Sequence, residues 1–306
     1  MMKEHWYLLR EFESSDLVVD YVNNKYGYCP SKEKVFEITS FFTQGREFFE
    51  SASKSDISVM PILQYYGILA LSRGLILVSN KSARENSIKS SHGLVLSNWD
   101  KKFENISVKI TNGTFLELIS STNNVSHIRR GCSAVNLSVP YPIPNSDLYL
   151  NMVDIAFCFP DLSDQVRVWL KNELPKVCIR SFNTTEDTVD IALEGTSNTE
   201  VLNILFPPDR FNEVEISYVK DVQHAKFKLL EYPVITQKWD TGFPGIGDAY
   251  LSPPMRNGLM LNLISTYFAM SFILCMISRY YPSVWQKVHK GISNDRIMPF
   301  TIKLLD

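Results

Sequence analysis

Two long stretches of the chain are apolar on every side rather than along one face. Residues 57–80 contain one charged residue, Arg73, and residues 259–277 contain none. A helix that is hydrophobic all round belongs in the interior of a large core or in a membrane. A third stretch, residues 38–52, repeats apolar residues at i, i+3, i+4 and i+7, which predicts an amphipathic helix. The pattern therefore predicts three long helices that pack together.

The stretch 259–277 is long enough to be a candidate membrane span, since about 18 uncharged residues suffice. Its polar residues Asn262, Ser265 and Thr266 argue against that interpretation, because hydrocarbon would penalise them. Charges interrupt the apolar residues of the N-terminus, unlike those of a signal peptide. We therefore expect a soluble cytoplasmic protein with a central buried helix and no membrane association. A C-terminal membrane anchor is the alternative.

Small residues suggest how the helices meet. A first helix is expected from Ser14 to Tyr26, and the third from Asp56 to about Asn80. Gly45 interrupts the apolar stripe of the second helix, and Gly67 and Gly74 give the third helix a small-residue face. Because glycine permits close approach of a neighbouring backbone, we expect the second helix to pack tightly against the third.

The middle of the chain has a different pattern. Asn112-Gly113 lies between two short apolar runs, 106–110 and 114–118, and predicts a two-residue β-hairpin. Further strands are expected at 177–182, 189–193, 214–219 and 227–232, and helices at 147–157, 162–170 and 199–205.

These elements predict an α+β fold, in which a helical core of long buried helices carries an inserted β-containing middle region. Residues 1–103 would supply the N-terminal part of the core and residues 104–235 the α/β insertion. Residues 236–306 would supply the C-terminal helices that complete the core. Because both ends of the chain would share one core, we expect one composite domain.

Composition excludes several classes of function. The chain carries 31 Lys and Arg against 33 Asp and Glu, so its net charge of -2 gives no reason to expect broad nucleic-acid binding. Its five cysteines form no Cys-x-x-Cys pair, and no two histidines are three to five residues apart. We therefore expect reduced thiols, no metal site and no cofactor.

Two isolated arginines, Arg73 and Arg279, lie on or at the end of the apolar helices. A guanidinium keeps its proton when buried, so each must be paired or reach water. In one interpretation Arg73 pairs with Glu47 or another carboxylate, and Arg279 binds carbonyls at its helix end. In the other, Arg46, Arg73 and Arg279 converge on one pocket that binds a small anion such as phosphate.

A polar loop after the third helix runs from Asn86 to His92. A loop histidine can act as a general base or contact a ligand, and Asn86 is a further candidate contact. A surface histidine without a role is the alternative. Arg84 lies eight residues before His92. Helical ribonucleases of the HEPN type place four to six residues between their Arg and His, whereas seven intervene here.

Two further patterns are weak. Residues 242–247 form a glycine-rich loop whose spacing matches neither phosphate-binding fingerprint. Residues 127–130 form a small basic patch, which is little support for nucleic-acid binding. The sequence contains neither a Gly-x-Ser-x-Gly nor a His-Glu-x-x-His motif. His92 is therefore the catalytic candidate.

Four short motifs follow one another along the chain: FFTQGREFFE at 41–50, QYYG at 64–67, HGL at 92–94 and SRYYPSVW at 278–285. Taken together, they resemble the bacterial YaaC-like family over nearly the whole length. The resemblance implies a bacterial cytoplasmic protein. It supplies no settled biochemical activity and no catalytic residues.

We expect a non-catalytic interaction or regulatory subunit of a bacterial multi-component system, of which antiphage defence is one example. It would bind a protein partner, and a small anionic ligand through Arg46, Arg73 and Arg279. The alternative is an enzyme that processes nucleotides or nucleic acid, with His92 as general acid or base and arginines on the phosphate. The enzyme requires His92 to lie within reach of the arginines.

Overall fold

The computed structural model describes residues 2–99, 102–129, 136–171, 177–184, 188–194, 211–219, 222–229, 249–251 and 255–306. Within these residues, long helices occur together with antiparallel strands. The predicted α+β class with a helical core is confirmed. The helix expected at 199–205, the glycine-rich loop at 242–247 and Arg130 lie outside the described residues.

The chain divides into two compact units. The first contains residues 1–124, 143–153 and 264–306, and the second contains residues 125–142 and 154–263. The second unit thus runs from 125 to 263 and excludes 143–153, whereas the expected insertion runs from 104 to 235. That the three predicted segments form one composite domain stays a prediction.

Ten α-helices occur in the described residues. They are α1 (Met2–Leu9), α2 (Ser15–Tyr26), α3 (Lys32–Ala52), α4 (Met60–Ser79), α5 (Thr114–Ser121), α6 (Met152–Ala156), α7 (Ser163–Leu170), α8 (Leu263–Tyr280), α9 (Pro282–His289) and α10 (Met298–Leu305). Helix α4 begins at Met60 rather than at Asp56, because the Asp56 carbonyl first accepts from the amides of Val59 and Met60 in a turn.

In the part of the chain that the structure describes, ten strands form three antiparallel sheets. They are β1 (Leu94–Ser97), β2 (Ser107–Ile110), β3 (Val125–Arg129), β4 (Asn136–Pro140), β5 (Tyr149–Asn151), β6 (Val177–Thr184), β7 (Thr188–Glu194), β8 (Phe211–Val219), β9 (Val222–Leu229) and β10 (Ala249–Leu251). The strand orders are β1-β2-β5, β10-β6-β7-β9-β8 and β3-β4. The four strands expected between 177 and 232 correspond to β6 to β9. Strand β9 begins at Val222, five residues before the predicted start at 227, and residues 230–232 lie outside the described residues.

The predicted hairpin around Asn112-Gly113 is wrong. Strand β2 occupies the first apolar run, but residues 114–121 form helix α5, and β2 pairs with β1 and β5 instead. The second run has a helical face, because Phe115, Leu118 and Ile119 are all buried at 0% exposure. The helix expected at 147–157 is also partly wrong, since β5 precedes the short helix α6.

Helices α3 and α4 pack closely at their glycines, as the small residues predicted. A Cβ on Gly67 would lie 2.7 Å from the Phe49 ring and 3.3 Å from the Gly45 carbonyl oxygen. A Cβ on Gly74 would lie 2.8 Å from the ring of Phe42. Since real Cβ atoms do not approach this closely, these positions require glycine at the present helix separation.

Helix α8 packs antiparallel to α4 in the first unit. Tyr65 of α4 contacts Phe268 and Phe272 of α8, with ring centroids 5.7 and 5.5 Å apart. At the other end of the contact, the Ser278 hydroxyl donates to the Ser58 carbonyl at 2.7 Å. Both helices are long and apolar enough to cross a membrane, but 50% of the α4 span and 67% of the α8 span are buried within the protein.

A lysine fixes the turn that follows α4. Lys34 of α3 is 3% exposed, and its ammonium group donates to the carbonyls of Asn80, Lys81 and Ala83. All three ammonium hydrogens are thereby used. Burial lowers the pKa of Lys34. The loop that contains His92 therefore starts from a turn anchored to α3.

Candidate functional site

A hydrogen bond between Tyr65 and His92 forms the centre of the candidate site. The Tyr65 hydroxyl lies 2.8 Å from His92 Nδ1, and the His92 ring also packs on Phe272 at 5.8 Å. Tyr65 is 0% exposed, whereas His92 is half-buried. With the phenol as donor, the imidazole proton is assigned to Nε2. No described residue bonds to Nε2, so this nitrogen is available to a ligand.

Both partners favour their neutral forms. Burial lowers the pKa of His92, and the positive charges of Arg73 and Arg279 lower it further. Burial also raises the pKa of Tyr65. Because desolvation penalises whichever form is charged, the pair consists of a neutral imidazole and a phenol at neutral pH.

Arg73 extends from α4 to the backbone that precedes His92. Its Nη2 donates to the carbonyl of Ser90 at 3.2 Å and weakly to that of Lys89 at 3.5 Å. Its Nε is buried and has no hydrogen-bond partner among the described residues. No ion pair of Arg73 with a described carboxylate occurs, so the expected pairing with Glu47 is wrong. Glu47 is exposed on α3.

Arg279 ends α8 on the exposed surface. Its Nη1 lies 3.5 Å from the Tyr66 hydroxyl, and its guanidinium lies 5.1 Å from the centre of the Tyr280 ring. These contacts are weak, because 3.5 Å is the outer limit of a hydrogen bond and the ring contact is exposed. Arg279 has no ion pair with a described carboxylate, and its positive charge is therefore available to a ligand.

Two glycines place His92 against the start of α5. The His92 carbonyl accepts from the amide of Phe115 at 3.0 Å. Gly93 has a φ of +82°, which side chains other than glycine rarely adopt. A Cβ on Gly113 would lie 2.4 Å from the Gly93 nitrogen. The close contact of Gly93 with Gly113 therefore sets the position of the His92 backbone.

Two of the predicted ligand contacts lie in other surroundings. Arg46 forms ion pairs at 2.8 Å with Glu13 and Glu50, so its charge is already compensated. These carboxylates raise the pKa of Arg46. Asn86 is exposed in the short helix Glu85–Ser87 and has no bond to the His92 pair. The predicted convergence of Arg46 with Arg73 and Arg279 stays a prediction. The ion pairs of Arg46 with Glu13 and Glu50 argue against it.

Arg84 has a structural role. Its Nε and Nη2 both donate to the carboxylate of Glu37, and Glu37 also accepts from the Glu85 amide at 3.1 Å. This ties the loop to α3. The cations that influence His92 are Arg73 and Arg279 rather than Arg84. The geometry adds no support to the pairing of Arg84 with His92 that a HEPN-type site would require.

A cavity of about 420 Å³ opens beside the same loop. Its lining includes Lys89, Asn112 and Glu117, but none of the His92 pair or its two arginines. The candidate site is thus separate from this cavity.

The nearest cysteine is not activated. Cys275 of α8 is 0% exposed, and burial raises the pKa of its thiol to about 12. The thiolate is the nucleophilic form, so this cysteine is inert at neutral pH. Among the described residues there is also no group of three His, Cys, Asp or Glu side chains that could hold a metal ion.

The comparison with protein families agrees with the motifs. The model of the YaaC-like protein family matches residues 10–306, which is nearly the whole chain. The chain belongs to the YaaC-like family. No match was found among curated proteins or among solved structures. Two segments that carried the resemblance, QYYG and HGL, supply Tyr65 and His92 of this YaaC-like protein.

The sequence identified His92, Arg73 and Arg279. In the structure His92 bonds to Tyr65, Arg73 bonds to the backbone just before His92, and Arg279 lies beside Tyr66. The sequence did not identify Tyr65 as part of the site, because a tyrosine in an apolar helix is indistinguishable from a core residue by pattern. The signal available was its hydroxyl: a buried phenol requires a polar partner. His92 is such a partner on an adjoining loop.

Proposed function

We propose that this YaaC-like protein binds a small anionic ligand at His92, Arg73 and Arg279. The observation that carries the proposal is the presence of two guanidinium groups, without described carboxylate partners, beside a neutral imidazole with a free Nε2. Unpaired guanidinium groups favour negative charge, and their planar donors suit phosphate or carboxylate oxygens. The anion would compensate charges that the described residues leave uncompensated.

We also propose that the protein is a non-catalytic interaction or regulatory subunit in the bacterial cytoplasm. Its support is the lack of an activated nucleophile among the described residues of the site: Cys275 remains a thiol and Tyr65 remains a phenol. A subunit of this kind would change its interaction with a protein partner when the ligand binds. Antiphage defence is one kind of multi-component system that could use such a signal.

Binding is tested by titrating the purified protein with inorganic phosphate in a calorimeter. We expect at least one of the variants Arg73→Gln and Arg279→Gln to weaken binding by about tenfold or more, since a hydrogen bond to a charged group contributes about 1.5–3 kcal/mol. Arg167→Gln is the matched control, because Arg167 is exposed and pairs only with Asp164 among the described residues. Equal affinities of all three variants, or no binding by the wild type, would refute the proposal.

The second candidate function is an enzyme that acts on nucleotides or nucleic acid. One observation favours it: Tyr65 orients the imidazole, and in the tautomer whose Nδ1–H donates to the Tyr65 hydroxyl, Nε2 carries no proton and can take one. His92→Gln separates the two functions, because the glutamine amide can still bond to Tyr65 and to an anion but cannot transfer protons. Turnover of RNA or nucleotides by the wild type that His92→Gln abolishes would establish the enzyme.

The role in a multi-component system is tested in cells. In a strain whose phage resistance or other phenotype depends on this gene, we expect Arg73→Gln to abolish the phenotype and His92→Gln to retain it. Thermal unfolding of both purified variants must first show that they fold. The opposite pattern, loss with His92→Gln alone, would contradict the non-catalytic proposal.

A further inference from the structure

The two arginines of the site approach His92 from opposite directions. Helices α4 and α8 run antiparallel, and Tyr65 marks their common level at Phe272. Arg73 lies eight residues beyond Tyr65 on α4, which is about 12 Å along the axis. Arg279 lies seven residues beyond Phe272 on α8, which is about 10 Å in the opposite direction. The two backbone positions are therefore far apart, with His92 between them.

The two guanidinium groups have separate contacts. The Ser90 carbonyl holds that of Arg73, close to the backbone of His92. Weak contacts with the Tyr66 hydroxyl and the Tyr280 ring leave that of Arg279 at the end of α8. Because the two arginines start from distant backbone positions, a single phosphate would have to draw at least one guanidinium out of its present contacts to reach both. An anion with two separated negative groups would reach both without such a change.

The imidazole between the arginines indicates which kind of anion fits. Nε2 is a hydrogen-bond donor when the Tyr65 phenol donates to Nδ1. A dicarboxylate places its oxygens at its two ends and would leave this central donor without an acceptor. A diphosphate carries oxygens along its whole length, so it offers an acceptor to each arginine and to Nε2.

We infer that the ligand of the His92 site is a diphosphate, with one phosphate group on Arg73, the other on Arg279 and a middle oxygen on His92. This inference rests on the proposed function, because it names the anion that the same site would bind. The diphosphate can be free or part of a nucleoside diphosphate. Tyr280, which is 59% exposed beside Arg279, offers a ring on which a base could stack.

The test compares inorganic phosphate, pyrophosphate and succinate by calorimetry on the full chain. We expect pyrophosphate to bind at least tenfold more tightly than either of the others. In Arg73→Gln and in Arg279→Gln, the ratio of pyrophosphate to phosphate affinity should fall to about one, because only one guanidinium remains. Arg46→Gln should keep the wild-type ratio, since Arg46 is paired with Glu13 and Glu50.

Adenosine diphosphate distinguishes the two sources of the diphosphate. Tighter binding of this nucleotide than of pyrophosphate, with the advantage lost in Tyr280→Ala, would assign a nucleoside diphosphate. Equal binding would assign the free anion, and both results support the inference. Phosphate or succinate binding as tightly as pyrophosphate would overturn it and leave anion binding intact. Failure of every anion to bind would overturn the proposed function as well.

Discussion

Burial and nearby cations decide the ionisation of His92. The ring packs on Phe272, bonds to Tyr65 and lies close to two guanidinium groups. Burial, and then the two guanidinium groups, oppose a positive charge on the imidazole and lower its pKa. The pKa of His92 is consequently lower than that of a histidine exposed to water. This lowered pKa should change how the stability of the protein depends on pH.

We expect His92→Gln to reduce the loss of stability in acid. The pKa of His92 is lowered in the folded protein, so below the ordinary value of about 6.5 the unfolded chain binds more protons. The stabilisation is complete above pH about 6.5 and declines as the pH falls through the folded pKa. Urea unfolding at pH 7.5 and 5.5 should show a smaller difference for His92→Gln than for the wild type.

His289→Gln is the matched control for this experiment. Burial also lowers the pKa of His289, which packs on Trp285, and neither of the two arginines contributes to that shift. This variant should lose the contribution of His289 and keep that of His92. An identical pH dependence in the wild type and in His92→Gln would show that the pKa of His92 is not lowered. Comparing two pH values for each variant cancels the cost of the altered hydrogen bond.

At the scale of elements, the contact of α3 with α4 depends on glycines that leave no room for a side chain. A Cβ on Gly74 would meet the ring of Phe42, which is 3% exposed and stacks on Phe12 with ring centroids 4.7 Å apart. The ring cannot move aside without disturbing a second buried ring. Closely packed interiors of this kind transmit the strain of an added group.

We expect Gly74→Ala to destabilise the protein by about 1–3 kcal/mol, the usual cost of overpacking a core. The sign is informative, because alanine in a helix interior is otherwise favoured over glycine by about 1 kcal/mol. Unfolding in urea measures the change in free energy. Gln44→Ala on the exposed side of α3 is the control and should be nearly neutral. A stabilised Gly74→Ala would mean that the helices are further apart.

The sequence predicted these helices well, because their periodicity and small residues reflect packing within one helix pair. It misassigned residues 114–118, because Asn-Gly is a hairpin signal only when both neighbouring runs are strands. The deciding contact is distant: Gly113 packs on Gly93, and the Ser91 and His92 carbonyls accept from the first amides of α5. Local pattern contains no information on such a contact.

The candidate site could be predicted only in part, because some of its contacts also join distant parts of the chain. Lone arginines in apolar stretches stand out in a sequence, and so does a loop histidine. The pairing of Arg46 with Glu13 joins residues 33 positions apart, and that of His92 with Tyr65 joins residues 27 apart. Tertiary packing therefore decides which arginine is paired with carboxylates and which can bind a ligand.

At the scale of the whole molecule, the two apolar helices lie inside the first unit. Helix α4 packs on one side of α8. Beyond the C-terminal end of α8, the Trp285 indole donates to the Ile57 carbonyl at 2.8 Å. The C-terminal helix α10 also reaches α4, since Gln64 donates to the Leu305 carbonyl. The protein buries 50% of the α4 span and 67% of the α8 span.

We expect the protein to remain in the supernatant when lysed cells are centrifuged at high speed without detergent. The physical reason is that α4 and α8 bury much of their apolar surface against each other and their neighbours. Immunoblotting of supernatant and pellet measures the distribution, with a known membrane protein and a known cytoplasmic protein as controls. Recovery only in detergent would contradict this and favour the membrane anchor.

The burial of Cys275 makes the helix pair observable in solution. Its sulfur lies on α8 three residues after Phe272, shielded from water and held as a thiol. Alkylating reagents can modify it only during moments when α8 separates from its neighbours, so the rate of modification counts those separations. A molecule that joins Arg73 on one helix to Arg279 on the other would make these separations rarer. Its binding would therefore slow the alkylation of Cys275.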